Sequence, residues 1–241
     1  MQKPVVVFDL DGTLIDTAPD LLDSLNHSLA VGGIPPVASE GFNAFVSLGG
    51  MVMIEKAFAA QNKALSDDIK REFFKNFLAH YSAGIPGKSQ PYPGVIAALD
   101  RFEAAGFTLA ICTNKHFSTA TSLISALGLT SRFAALTGQD TFSFRKPDPR
   151  HLLETIALAN GDPARALMIG DSRTDIDTAK AAGIPVVAVD FGYTDRHVRE
   201  FEPSAVISHY DSLTVEMVET LMAAANGRCV GDLQSPSMPS G

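Results

Sequence analysis

Two aspartates stand two residues apart in Phe8-Asp9-Leu10-Asp11-Gly12-Thr13-Leu14, directly after an apolar run at 5–8. In an extended strand that spacing puts both side chains on one side. Two carboxylates held so close repel unless a cation lies between them, and a hard divalent ion such as Mg2+ suits an all-oxygen site. One carboxylate of such a pair can attack phosphorus while the other carries protons. Gly12 would let the chain turn away sharply. The same residues also read as an ordinary Asp-Gly turn after a strand.

Three further polar motifs share this ambiguity when taken singly. Thr113-Asn114-Lys115 follows the apolar run at 108–112. Its hydroxyl and backbone N–H groups could hold phosphate oxygens, or could cap a helix. Lys146, within Arg145-Lys146-Pro147-Asp148-Pro149, could offset charge on a transferring phosphoryl group. It could equally be a solvated lysine ahead of a Pro-initiated helix. Asp171 and Asp175, in Gly170-Asp171-Ser172-Arg173-Thr174-Asp175, are four residues apart and could serve one metal. Ser172-x-x-Asp175 also fits a capping box. Together the four motifs argue more strongly. Each ends or follows an apolar run, and between them they supply the carboxylate, hydroxyl, lysine and metal-ligating groups that phosphoryl transfer uses.

The elements that must position these groups are short buried strands at 5–8, 108–112, 166–169 and 186–189, with 205–207 as an edge. Helical patterns alternate with them, which implies an α/β fold with a doubly wound parallel sheet. Ligands of such sheets bind beyond the carboxyl ends of the strands, where the polar motifs lie. Residues 18–90 instead show helical periodicity and no clear strand. Leu21, Leu22, Leu25 and Leu29 form one face; Val52, Ile54, Ala57, Phe58, Ile69, Phe73, Phe74 and Phe77 continue the pattern. This predicts a helical cap inserted after the first strand. The expected division is a core of residues 1–17 and 91–225, a cap of 18–90, and a disordered tail of 226–241. The cap joins the core near residues 16–19 and 88–93, where hinges are expected.

The chain has 241 residues, 46% of them hydrophobic, enough for a sizeable core. A net charge of -8 speaks against nucleic acid as a bulk electrostatic partner. No run reaches the ~18 apolar residues of a membrane span, and the run at 5–8 is too short for a signal peptide. The two cysteines, Cys112 and Cys229, suggest no disulfide framework, which fits a reducing cytoplasm.

The four motifs, in this order and spacing, resemble those of the haloacid dehalogenase superfamily of hydrolases, in its phosphatase branch. The string Phe-Asp-Leu-Asp-Gly-Thr-Leu-Ile-Asp-Thr carries most of the likeness, which runs from about residue 5 to residue 207. By this resemblance Asp9 is the nucleophile that becomes phosphorylated and Asp11 the general acid and base. Thr113 and the Asn114 backbone hold phosphoryl oxygens, and Lys146 orients the nucleophile. Asp171, with Asp9 and the Asp11 carbonyl, binds Mg2+, while Asp175 supports the ion or its waters. Within the superfamily the chain is most similar to the bacterial phosphoglycolate phosphatases, through Asp16-Thr17-Ala18-Pro19-Asp20-Leu21, Ser47-Leu48-Gly49-Gly50, Pro91-Tyr92-Pro93-Gly94-Val95 and Thr113-Asn114-Lys115. That likeness implies a small phosphorylated metabolite as substrate and a monomer or homodimer. Phosphosugar phosphatases, pyrophosphatases and phosphosugar mutases share parts of the pattern. A metabolite-binding module on the same fold is the non-enzymatic alternative, although it should have lost one of the catalytic residues. Gly49-Gly50, ahead of a helical stretch, is the expected place in the cap to receive a carboxylate on backbone N–H groups; it also reads as a flexible turn.

Overall fold

The computed structural model describes residues 2–39, 46, 49–194 and 196–231. The chain enters as strand β1 (Lys3–Phe8) and makes a two-residue strand β2 (Ile15–Asp16). It then runs through helices α1 (Ala18–Val31), α2 (Gly50–Ala60) and α3 (Asp67–Gly84) and returns as β3 (Gln90–Pro91). After α4 (Val95–Ala104) come β4 (Thr108–Cys112), α5 (Phe117–Ala126), β5 (Ala135–Thr137), α6 (Pro149–Leu158) and β6 (Gly161–Gly170). The last elements are α7 (Arg173–Ala181), β7 (Val186–Val189), β8 (Ala205–Ile207) and α8 (Val215–Gly231).

Six strands form one parallel sheet in the order β5-β4-β1-β6-β7-β8. Period-two alternation sends Val6, Phe8, Leu109, Ile111, Leu167, Ile169, Val187 and Val189 to one face, against Leu99 and Phe102 of α4, Leu123 of α5 and Val218 of α8. Val5, Val7, Ala110, Cys112, Ala166, Met168, Val186 and Ala188 go to the other face, against Leu152 and Ile156 of α6 and Ile176 of α7. Both faces are therefore covered, and so the strands read as continuous apolar runs. Each fully buried Val, Leu, Ile or Phe contributes roughly 1.5–3 kcal/mol relative to exposure.

This is the expected α/β architecture, with two corrections. Strand β5 lies beyond β4 at the sheet edge, where no strand was expected; three residues, Ala-Leu-Thr, are too few to show a period. And α8 continues through residues 226–231, where the sequence pointed to the start of a disordered tail. The rest of that segment, 232–241, lies outside the described residues.

Helices α1, α2 and α3 build a core of their own from Leu21, Leu25, Leu29, Met53, Ile54, Ala57, Phe58, Phe73, Phe77 and Tyr81. The i, i+4 spacing of Leu21, Leu25 and Leu29 faces that of Phe73, Phe77 and Tyr81. Phe58 meets Phe73 edge to face at 5.0 Å. Ile69 falls off this stripe and is 39% exposed, and Val52 and Phe74 are only half-buried. The chain leaves and re-enters the sheet domain through adjacent segments: Ile15 pairs with Pro91 and Asp16 with Gln90. The Asp20 carboxylate ties this junction, accepting from the Lys88 N–H at 2.9 Å, the Ser89 N–H at 2.7 Å and the Ser89 hydroxyl at 2.5 Å.

Candidate active site

Asp9 follows the last residue of β1, and its N–H donates to the Ile169 carbonyl of β6 at 2.8 Å. Its Oδ1 accepts from the Leu10 N–H at 2.7 Å and pairs with Lys146 Nζ at 2.9 Å. Among the described residues nothing donates to Oδ2, so this oxygen is free to react. Burial pushes the Asp9 carboxyl up to about 6; Lys146 pulls it down and Asp175 pushes it further up.

Lys146 reaches the site from the loop before α6, and its side chain is almost wholly buried. Its ammonium also pairs with Asp175 Oδ1 at 2.6 Å. Burial opposes the charge, but Asp175 and Asp9 together outweigh it and the ammonium is held more tightly protonated than usual. Two backbone contacts fix the loop: the Lys146 N–H donates to His151 Nδ1 at 3.2 Å, and its carbonyl accepts from Asn114 Nδ2 at 2.9 Å. His151 is fully buried and its pKa is lowered to about 4, first by burial and then by Lys146. It therefore stays neutral, with the proton on Nε2, because Nδ1 is the acceptor.

Asp171 and Asp175 frame the start of α7, and both are fully buried. Asp175 does two things at once. Its Oδ1 holds Lys146, while its Oδ2 accepts from the Ser172 N–H at 3.1 Å and hydroxyl at 2.6 Å, closing the capping box that the spacing suggested. Asp171 accepts from the Thr13 hydroxyl at 3.2 Å and the Tyr193 N–H at 2.6 Å. Burial, then Asp175, then Asp9 raise its pKa well above the usual carboxylate range. Glycines permit the close packing here: a Cβ on Gly12 would lie 2.4 Å from Asp171 Oδ2, and one on Gly192 2.2 Å from Asp171 Cβ.

Asp9, Asp171 and Asp175 bring carboxylate oxygens within 4.8 Å of one another. One buried ammonium, Lys146, faces these three acids. Three buried or half-buried carboxylates converging on one point with a single ammonium among them fit a hard divalent cation with oxygen donors. The sequence placed the ion between the carboxylates of Asp9 and Asp11. In the structure the cluster consists of Asp9, Asp171 and Asp175, and the Asp11 carboxylate is paired elsewhere, with both its oxygens 3.0 Å from Lys115 Nζ. That ammonium also sits 4.4 Å from the centre of the Tyr81 ring of α3.

The site opens into a cavity of about 520 Å³ between the sheet domain and helices α1–α3. Asp9, Asp11, Thr113, Asn114 and Lys146 line its floor, so most of the expected catalytic residues converge there. Gly49 and Gly50 line the opposite wall beside Met51, Val52, Phe74 and Phe77. Both glycines have local reasons to be glycine. Gly49 sits at φ +88°, and a Cβ on Gly50 would lie 2.6 Å from Phe77 Cε1. Three residues with clear roles in the geometry carried no functional reading in the sequence. Lys115 stood in a quoted motif, but only the fold shows that it meets Asp11. His151 and Tyr193 gave no signal at all. Tyr193 spans the site and the junction: its N–H holds Asp171, while its hydroxyl donates to Asp16 at 2.5 Å and accepts from the Ala18 N–H at 2.8 Å.

The family model for haloacid dehalogenase-like hydrolases matches residues 6–189. A phosphoglycolate phosphatase of Mesorhizobium japonicum is 68% identical over 225 residues, 93% of this chain and 99% of that protein. One of Agrobacterium fabrum is 47% identical over 221 residues, 92% of this chain and 95% of that protein. Among solved structures, a predicted phosphoglycolate phosphatase from Haemophilus somnus superposes with a TM-score of 0.81 at 26% identity, covering 88% of this chain and 97% of that one. CbbY from Rhodobacter sphaeroides, solved with phosphate, shares the fold at a TM-score of 0.75 and 21% identity, covering 91% of this chain and all of that one. By its four motifs, its sheet order and these matches along most of its length, the chain belongs to the haloacid dehalogenase-like hydrolases.

Proposed function

We propose that this chain is a Mg2+-dependent phosphatase that hydrolyses 2-phosphoglycolate through an aspartyl-phosphate intermediate. The observation that carries the chemistry is Asp9 itself, with Oδ1 held by Leu10 and Lys146 and Oδ2 open to the cavity. Oδ2 attacks phosphorus and the ester oxygen departs, taking a proton from Asp11. Asp11 then removes a proton from water, which attacks the acyl phosphate, releases inorganic phosphate and restores the Asp9 carboxylate. Lys146 fixes the angle of Asp9 and offsets charge that builds on the phosphoryl oxygens. The Thr113 hydroxyl and the Asn114 N–H receive those oxygens. Asp9, Asp171 and the Asp11 carbonyl would hold Mg2+, with Asp175 behind them keeping Lys146 in place. When bound, the ion screens the phosphoryl group from the Asp9 carboxylate.

Residues 18–90 act as a cap that closes over the substrate, hinged at residues 16–19 and 88–93. Gly50, the first residue of α2, offers its backbone N–H to the leaving group, while the Gly49 N–H is taken by the Val46 carbonyl at 3.1 Å. The choice of substrate rests on the relatives named above and on a cavity suited to a small leaving group. Work in the cytoplasm fits the buried free thiol of Cys112, and among the described residues no helix is long and apolar enough to cross a membrane.

The test is phosphate release from a panel of small phosphomonoesters, with Mg2+ and with chelator, for the wild type and Asp9→Asn. Preference for 2-phosphoglycolate, loss in chelator and an inactive but folded Asp9→Asn are expected. Near-normal turnover by Asp9→Asn would remove the mechanism; indifference to 2-phosphoglycolate would remove the substrate.

A further inference from the structure

A leaving group that carries a carboxylate needs a positive charge to receive it in the cavity. The cap side offers none among the described residues that line it: Leu21, Met51, Val52, Phe74, Phe77 and Leu78 are apolar. The basic side chains that line the cavity lie on the sheet side, and three of the four are committed. Lys146 pairs with Asp9 and Asp175, Lys115 holds both oxygens of Asp11, and His116 faces Asp140 at 3.4 Å.

The fourth is Arg145. Among the described residues it has no carboxylate partner, and its one hydrogen bond is to a neutral group, from Nη1 to Gln139 Oε1 at 3.0 Å. The two acids nearest in sequence are engaged elsewhere. Asp140 accepts from the Phe117 N–H at 2.7 Å, and Asp148 takes the Arg150 guanidinium. Arg145 thus brings to the cavity rim a guanidinium with no carboxylate of its own, one residue before the lysine that holds the nucleophile. A guanidinium offers two parallel N–H donors that match a carboxylate, and its charge persists at any working pH.

We propose that Arg145 is a specificity-determining residue that receives the carboxylate of the leaving group, so that the enzyme selects phosphomonoesters of small 2-hydroxy acids. This rests on the substrate reading above and adds the residue that enforces it. The contact is made by a part of the substrate that does not react. Its loss should therefore raise KM for the acid and leave the phosphoryl chemistry intact.

The experiment compares 2-phosphoglycolate with 2-hydroxyethyl phosphate, which has a hydroxymethyl group in place of the carboxylate, for the wild type, Arg145→Gln and Arg145→Lys. Arg145→Gln should lose about 10- to 100-fold in kcat/KM on 2-phosphoglycolate, mostly in KM, the usual size of a charged hydrogen bond. It should change by less than about threefold on 2-hydroxyethyl phosphate, and Arg145→Lys should recover part of the loss because the charge remains. Arg145 is solvent-exposed, so the variants should melt with the wild type. Equal losses on both substrates, or no loss on either, would overturn the assignment while leaving the phosphoglycolate reading standing. If the wild type itself shows no preference between the two substrates, the substrate reading falls and this assignment with it.

Discussion

Stripping the divalent ion should expose a cost that depends on pH in a calculable way. The carboxyl of Asp9 is pushed from its ordinary 3.8 up to about 6 by burial in a site shared with Asp171 and Asp175. Without metal, the folded protein holds the Asp9 proton over this range while the unfolded chain has released it. The stability that proton supplies is full below pH 3.8 and is lost as pH rises through about 6. Two pH units correspond to about 3 kcal/mol. A metal that binds the ionised carboxylate must displace this proton below pH 6, so its affinity should fall about tenfold per pH unit from Asp9 alone. Asp171, shifted in the same direction, steepens the fall. The assay is urea unfolding at pH 5, 6 and 7.5, in chelator and in a fixed excess of Mg2+. The stabilisation by Mg2+ should shrink by about 1.4 kcal/mol or more between pH 6 and pH 5. Using the difference matters because His151 acts in the opposite sense. Its pKa is lowered to about 4, so the stability of its neutral buried form is lost as pH falls from 6.5 towards 4, with or without metal. A Mg2+ increment independent of pH, or one unchanged in Asp9→Asn, would refute the reasoning.

Asp11→Asn should lower kcat by roughly 10²–10⁴, the size of general acid–base catalysis, and an unchanged rate would remove it from that role. Gly50→Ala should cost stability first, about 1–3 kcal/mol, because the new Cβ meets Phe77 at 2.6 Å. A variant that melts with the wild type but has a raised KM would instead assign the glycine to substrate contact. Tyr193→Phe removes the hydroxyl that joins Asp16 to the Ala18 N–H and should cost about 1–3 kcal/mol. The Asp171 contact comes from the Tyr193 backbone and should survive, so faster hydrogen exchange at Ala18 with unchanged Mg2+ affinity is the expected pair of results.

The legible part of this protein was local. Strands buried on both faces announce themselves as apolar runs, and β1, β4, β6 and β7 did so because helices cover both sides of the sheet. Asp9, Thr113 and Asp171 directly follow the ends of β1, β4 and β6, so finding the runs also found these residues, while Lys146 was found through its own Arg-Lys-Pro-Asp-Pro motif. What escaped depends on contacts across long stretches of sequence. Lys115 meets Asp11 from 104 residues away, and Tyr193 reaches Asp16 from 177. Strand period predicts Asp9 and Asp11 on one side, but β1 ends at Phe8 and the chain turns at Gly12, φ +78°; the Asp9 carboxylate pairs with Lys146 and that of Asp11 with Lys115. Asp175 bears out the capping box read from its spacing and adds a contact the spacing did not show: one oxygen caps α7 and the other holds Lys146.

The place of β1 in the sheet has a consequence for how the protein comes into being. It is made first, yet it lies between β4 and β6, pairing Val5 with Thr108 on one side and with Ala166 on the other. Its partners emerge from the ribosome about 100 and about 160 residues later, and such distant pairings are slow to form. Until then a strand whose residues 5–8 are all apolar, with Asp9 directly after it, has no neighbour, and its unpaired edges are open to other nascent chains. The α1–α3 segment, which needs only its own contacts to bury its leucines and phenylalanines, is complete well before β4 emerges. Assembly during translation is therefore expected to run from cap to core, with catalytic competence arriving last, when β6 delivers Asp171 beside Asp9.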